Sequence, residues 1–197
     1  MKVTLLGTGT SQGVPVIACD CNVCLSKNQK DKRLRTSAMV EVNNEIFIID
    51  TGPDFRQQML TNNVKNISGV LYTHHHKDHV AGMDDVRAFN YKWRKDINIY
   101  CNNITEKALY NEFPYVFEEV KYPGVPKVNI NLFSNKEFYV NDIKITPADN
   151  NKKTVVLDEI EIFFKDKVGI LLTNNKAIMT VRNGVKILIS IFKLKSV

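Results

Sequence analysis

The sequence predicts an α/β fold in which sheets are flanked by helices. Three observations lead there. Short apolar runs of strand length recur along the first two thirds of the chain. Segments with apolar residues at helical spacing alternate with them. All 4 histidines of the 197 residues sit directly after one of the predicted strands.

The elements follow in order. Lys2 to Leu6 reads as a short buried strand feeding Gly7-Thr8-Gly9-Thr10-Ser11-Gln12-Gly13, a loop rich in the residue that allows tight turns. Next comes a polar loop holding Cys19, Cys21 and Cys24. Ser37 to Val42 and Glu45 to Asp50 read as antiparallel strands joined at Asn43-Asn44, a pair suited to a tight hairpin. Pro53 is placed to start a helix through Phe55, Met59 and Leu60, and Ile67 to Thr73 forms a strand running into the histidines. Asp84 to Lys95 has helical character, Ile97 to Cys101 reads as a strand, and Thr105 to Phe117 as a helix with Thr105 as its N-cap. Val128 to Phe133, Glu137 to Val140 and Ile143 to Thr146 complete a run of strands. From about Asp149 the character changes: Glu159 to Phe164, Val168 to Thr173, Ala177 to Arg182 and Val185 to Phe192 read as a β-meander with a hairpin at Asn183-Gly184.

Bulk composition narrows the class. With 44% hydrophobic and 24% charged residues, a single globular domain over residues 1–197 is expected. The net charge of +6 is spread along the chain, as at Asn28 to Lys32 and Asn150 to Lys153. That pattern suits a solvated, compositionally biased surface better than a nucleic-acid face. The N-terminal apolar run is too short for a signal-peptide core, and no stretch approaches the roughly 18 apolar residues of a membrane span. The expectation is a soluble cytoplasmic protein with no membrane partner; a homodimer is compatible with the sequence.

The chemistry concentrates in Thr73-His74-His75-His76-Lys77-Asp78-His79. In an extended segment residues two apart share a side, so His74 and His76 can offer imidazoles to one metal while His75 points away. After the chain turns, Asp78 and His79 can serve a second. Two ions roughly 3.5 to 4 Å apart activate water and stabilise the attacking and leaving oxygens of a phosphoester. A fortuitous polyhistidine stretch would not require Asp78-His79, the preceding apolar strand, or the earlier strand ending in Asp50.

With these motifs the sequence resembles the metallo-β-lactamase superfamily, whose hallmark is HxHxDH after a strand. It is most similar to the branch that includes the phosphoribosyl cyclic phosphate phosphodiesterase of phosphonate breakdown. The matching pieces are Leu5 through Pro15, Cys19-x-Cys21-x-x-Cys24, Arg33-x-Arg35-x-Ser37, Asp50-Thr51-Gly52-Pro53-Asp54-Phe55-Arg56 and Gly82-Met83-Asp84-Asp85-Val86-Arg87, so the likeness covers residues 1 to about 147. The remainder, 148–197, is a divergent β-rich tail. The resemblance implies an αββα sandwich, incomplete or altered in its C-terminal part.

It also implies a hydrolase for a small phosphodiester. Zinc or manganese would be held as two ions by His74 and His76, and by Asp78 and His79, with Asp78 doubling as the candidate catalytic carboxylate. Asp50 would orient a ligand imidazole through a hydrogen bond. Cys19, Cys21 and Cys24 would hold a structural zinc, which wants four ligands. In the family the fourth is a histidine near the C-terminus, absent here; solvent, a carboxylate or Cys101 can substitute, although Cys101 reads as a buried small hydrophobe.

The family further adds a third histidine for the first metal, a bridging aspartate and a final histidine for the second. This chain has no histidine after His79, and Ile145-Thr146-Pro147 is followed by Ala148-Asp149-Asn150-Asn151-Lys152-Lys153. Only Asp149, Asp158, Glu159, Glu161 and Asp166 are nearby carboxylates. A noncatalytic or altered family member is therefore the competing reading. An RNA-processing nuclease of the same superfamily is a third, without a recognisable RNA-gripping arm.

Overall fold

The computed structural model describes residues 1–134 and 136–147 and, beyond them, the backbone of the strands named below. The chain divides into two compact units, Met1–Leu132 and Phe133–Val197.

The first unit is built on a six-stranded mixed sheet in the order β1-β2-β3-β4-β5-β6. Strands β1 (Lys2–Gly7), β2 (Ser37–Val42) and β3 (Glu45–Ile49) pair antiparallel. The β2–β3 turn is made by Asn43 and Asn44, both at positive φ (48° and 66°), the backbone a two-residue hairpin of the right twist demands. From β3 onward the pairing is parallel, through β4 (Gly69–Leu71), β5 (Ile97–Cys101) and β6 (Val128–Leu132). Parallel strands require crossovers, and helices supply them: α2 (Phe55–Thr61) before β4, α3 (Lys77–Val80) and α4 (Arg87–Trp93) before β5, α5 (Asn103–Glu112) and α6 (Pro114–Phe117) before β6. Helix α1 (Asn22–Leu25) is a single turn inside the cysteine loop, which the sequence reading left without structure.

Strands covered on both faces need apolar residues at successive positions. Phe47, Ile48 and Ile49 in β3 and Gly69, Val70 and Leu71 in β4 are all buried accordingly. They join Phe55, Met59, Val80, Met83, Val86, Ile99, Leu109 and Val116 in the core.

Two helices differ from expectation. The N-cap of α5 is Asn102, whose side chain accepts from the Thr105 amide at 2.8 Å, while Thr105 itself is buried within the helix. Pro114, with no N–H to give, ends α5 and opens α6. The Asp84–Lys95 segment likewise divides into a 3-10 turn, Met83–Val86, and α4.

The second unit contains a seven-stranded sheet in the order β11-β12-β13-β10-β9-β8-β7. Its strands are β7 (Phe138–Val140), β8 (Ile143–Pro147), β9 (Thr154–Leu157), β10 (Ile160–Phe163), β11 (Ile170–Thr173), β12 (Lys176–Thr180) and β13 (Lys186–Ser190), all paired antiparallel. Val140, Ile143 and Ile145 are buried. The expected late strands are present, but they do not form a simple meander: β13 lies between β12 and β10. Strand β9 was missed despite its β-branched run. The Asn183-Gly184 turn lies outside the described residues.

Candidate metal centre

In open α/β sheets, binding sites form beyond the carboxyl ends of parallel strands. Asp50 follows β3 and Thr73 closely follows β4, the two neighbouring parallel strands at the middle of the sheet. Asp50 has φ +62°, a left-handed conformation that aspartate tolerates better than most residues, and its amide donates to Leu71 O at 3.0 Å. The loop after it is zipped to the histidine segment by backbone bonds, Thr51 N to His79 O (2.8 Å) and Gly82 N to Thr51 O (2.8 Å). That approach is so close that a Cβ on Gly52 would lie 2.2 Å from Asp78 O, and one on Gly82 2.3 Å from Gly52 O. Beneath the loop the Thr51 and Tyr72 hydroxyls meet at 2.6 Å, fully buried. Burial pushes the Tyr72 phenol far up, so it stays neutral.

The side chains converge on this frame. His74 and His76 bring their ring centroids to 4.6 Å, and His74 and His79 to 4.0 Å; His75 meets His76 edge-on, at 5.3 Å. The extended His76 caps the one-turn helix α3, and that turn swings His79 back beneath His74. Asp50, 2% exposed, takes Thr73 N on Oδ1 (2.8 Å), and on Oδ2 both Thr73 Oγ1 (2.7 Å) and His79 Nδ1 (2.6 Å). The far nitrogen of His79, Nε2, lies 3.2 Å from Asp78 Oδ2.

Charge follows from these neighbours. Burial, then the adjacent His79, lowers the His74 pKa to about 4, leaving a neutral imidazole with a lone pair to give. For His79 burial acts downward, but the Asp50 carboxylate, joined by Asp78, outweighs it and the net shift is upward. The donor chemistry fits a divalent metal. One imidazole is neutral, another is anchored through its rear nitrogen, and Asp78 and His79 are spaced close to the roughly 3.4 Å separating two ligands of one tetrahedral zinc.

The cysteine cluster is the other donor set. The sulfurs of Cys19, Cys21 and Cys24 lie within 4.8 Å of one another, and among the described residues no other group brings three donors so close. The histidine cluster brings no three donors within that distance of one another. The single turn α1 makes the cysteine arrangement, with Cys21 at its N-cap and Cys24 buried within it. The Val16 amide donates to Cys24 Sγ at 3.3 Å. The Cys24 amide, followed by the neighbouring thiols of Cys19 and Cys24, lowers Cys21 to about 7. For Cys24 the Val16 amide acts downward, but burial and the two other thiols prevail and the net shift is upward. Cys101 stands apart in the hydrophobic core, its thiol pushed up to about 12 by burial.

Comparison with known proteins now bears on this geometry. A family model described as a beta-lactamase superfamily domain matches residues 46–177. The chain belongs to that superfamily. Its sequence is 37% identical over 149 residues to an octanoyltransferase of Porphyromonas gingivalis strain W83, a match covering 75% of this chain and 30% of that protein. A crystal structure of a diphosphatase from the PhnP family is similar at TM-score 0.68 and 36% identity, over 82% of this chain and 59% of that one. Zinc-bound PqqB of Methylobacterium extorquens shares the fold at TM-score 0.65 and 22% identity, over 80% and 58% of the two chains. The chain therefore spans less than two thirds of the relatives it matches.

For this β-lactamase superfamily member, His74, His76, Asp78 and His79 are brought together at the strand ends, and Cys19, Cys21 and Cys24 at a separate loop. The carboxylates Asp149, Asp158, Glu159, Glu161 and Asp166 lie outside the residues whose side chains are described. Sequence reading gave Thr73 no role. It also gave none to Arg35, whose guanidinium donates to Asp54 Oδ1 (2.9 Å) and Ser11 O (2.9 Å), while its amide donates to Asp54 Oδ2 (2.8 Å). Arg35 ties the glycine loop to the start of α2. The only advance signal was its place in Arg33-x-Arg35-x-Ser37. Among the described residues no helix is long and apolar enough to cross a membrane.

Proposed function

We propose that this superfamily member is a metal-dependent hydrolase of small phosphodiesters or phosphoric anhydrides. The observation that carries the reading is His79 held between two carboxylates, Asp50 at 2.6 Å behind and Asp78 at 3.2 Å in front. A ligand imidazole is commonly braced in this way. The 36% identity to a diphosphatase supports the phosphate chemistry.

In this reading His74 and His76 hold one divalent ion, and Asp78 and His79 a second, zinc or manganese. Bound there, such ions supply Lewis acidity toward phosphoryl oxygens and a hydroxide-like nucleophile at neutral pH. The chain's own contribution is orientation. Asp50 keeps the Nδ1 proton of His79 turned inward, the Thr51–His79 and Gly82–Thr51 backbone bonds fix the depth of α3, and Asp78 orients the attacking water. Water oxygen bonds to phosphorus, the bond to the leaving oxygen breaks, and that oxygen takes up a proton. The cysteine cluster holds a structural zinc away from the reaction.

A second reading, a noncatalytic family member, is favoured by the pairing of donors: catalytic zinc usually has three protein ligands, and no histidine follows His79 in this chain. Metal content and hydrolysis of an aryl phosphodiester, in wild type, His76→Ala and Asp78→Ala, separate the two. The hydrolase gives stoichiometric metal and turnover that falls by 100-fold or more, on the order expected for lost metal ligands. Turnover that survives both substitutions overturns it.

A further inference from the structure

The hydrogen bonds of Thr73 point beyond the ligand set. Its hydroxyl lies 2.7 Å from Asp50 Oδ2 and 2.9 Å from His74 Nδ1. An ionised carboxylate only accepts, so the threonine proton goes to Asp50 and the threonine oxygen is left to receive a proton from the imidazole. His79 Nδ1 reaches the same Oδ2 directly at 2.6 Å, with Thr73 Oγ1 farther off at 3.5 Å. The Thr73 amide donates to Asp50 Oδ1 at 2.8 Å, which holds its backbone against the carboxylate, and the hydroxyl cannot swing away without breaking its own bond to Oδ2.

We propose that Thr73 is a positioning residue that relays Asp50 to His74, so that one buried carboxylate holds a proton on Nδ1 of two imidazoles. His74 then carries its proton on Nδ1 and keeps the lone pair on Nε2, while His79 holds a proton on Nδ1 against Asp50. His79 is set by direct contact and His74 through one hydroxyl. Free imidazole favours the opposite tautomer, with the proton on Nε2, so the relay works against an intrinsic preference at His74. The proposal rests on the reading of these nitrogens as metal donors only for its consequence; the tautomer itself belongs to the metal-free protein.

The test is the ring nitrogen spectrum of the full metal-free chain, labelled with 15N at histidine and recorded at neutral pH, for wild type, Thr73→Val and Thr73→Ser. Wild type is expected to show His74 protonated on Nδ1, Thr73→Val to move that proton to Nε2, and Thr73→Ser to restore it. His79 keeps its Nδ1 proton in all three. Thr73→Ala, which removes the same hydroxyl with less bulk, takes the place of the valine variant if that one does not fold.

Cobalt(II) uptake gives the second readout, because thiolate charge-transfer bands separate the cysteine cluster from nitrogen and oxygen donors. Affinity at the histidine cluster should fall by about 10- to 100-fold in Thr73→Val and return in Thr73→Ser. A wild-type His74 protonated on Nε2, or a tautomer that ignores loss of the hydroxyl, overturns the relay. Tautomers as expected with no cobalt at the histidines leave the relay standing and remove the hydrolase reading instead.

Discussion

The two donor clusters are held by opposite means. The histidine cluster is organised from behind by the protein: a buried carboxylate, a threonine hydroxyl and backbone bonds from the facing loop fix its rings. The cysteine cluster is the one group of three donors brought within 4.8 Å among the described residues, yet Val16 N is the sole hydrogen-bond donor to a sulfur from outside the 19–24 segment among the bonds described. Support before binding lowers the cost of ordering a site when its ligand arrives. The difference teaches that the first cluster is held in shape by the surrounding protein, whereas the second has little beyond its own segment to hold it.

The sharpest break of that contrast is Asp50→Ala. It strips the acceptor from Thr73 N, Thr73 Oγ1 and His79 Nδ1 at a site 2% exposed. Removing one partner of a buried, hydrogen-bonded charge pair costs about 3–5 kcal/mol. Chemical denaturation of the metal-free protein should show a loss of that size, and an unchanged midpoint would mean the carboxylate supports nothing.

Cys24→Ser should act differently. Zinc content should drop by one ion per chain while the midpoint of the metal-free protein moves little, since a serine hydroxyl is a poor zinc ligand but keeps an acceptor for the Val16 amide. A large loss of stability in the metal-free variant would show that the cysteine loop is as self-supporting as the histidine cluster.

The smallest effect is one of reactivity. In the metal-free protein Cys21, lowered to about 7, is mainly thiolate above neutrality, whereas Cys101, pushed up to about 12, remains a thiol throughout. The thiolate is the nucleophile, so alkylation followed by peptide mass spectrometry should label Cys21 first, with a rate that rises through pH 7 and levels above it. Zinc should suppress that labelling; equal labelling of Cys21 and Cys101 would contradict both environments.

Much of the first unit was legible because its signals are local. The Asn43-Asn44 turn, the apolar runs of β3 to β5 and the period-2 spacing of His74 and His76 are all contained in a few consecutive residues. The split of α5 from α6 is also written locally, at Pro114, although the apolar spacing runs on through it. Of what supports the site, only the bond from Asp50 to an imidazole was legible, and that through the family resemblance. Asp50 reaches Thr73 across 23 residues and His79 across 29, and Arg35 reaches Ser11 across 24. No periodicity encodes such contacts; they exist only once parallel strands have placed their ends side by side. The insertion of β13 beside β10 is hidden for the same reason, since antiparallel neighbours need not be neighbours in sequence.

The contact between Gly52 and Gly82 reaches further than packing. Neither residue has a side chain with which to touch a substrate, yet a single methyl at either would have to displace a carbonyl 2.2 or 2.3 Å away and pry α3 off the strand ends. Mutational drift is thus closed at two positions that perform no chemistry, and any descendant of this chain that keeps its loops in register must inherit both.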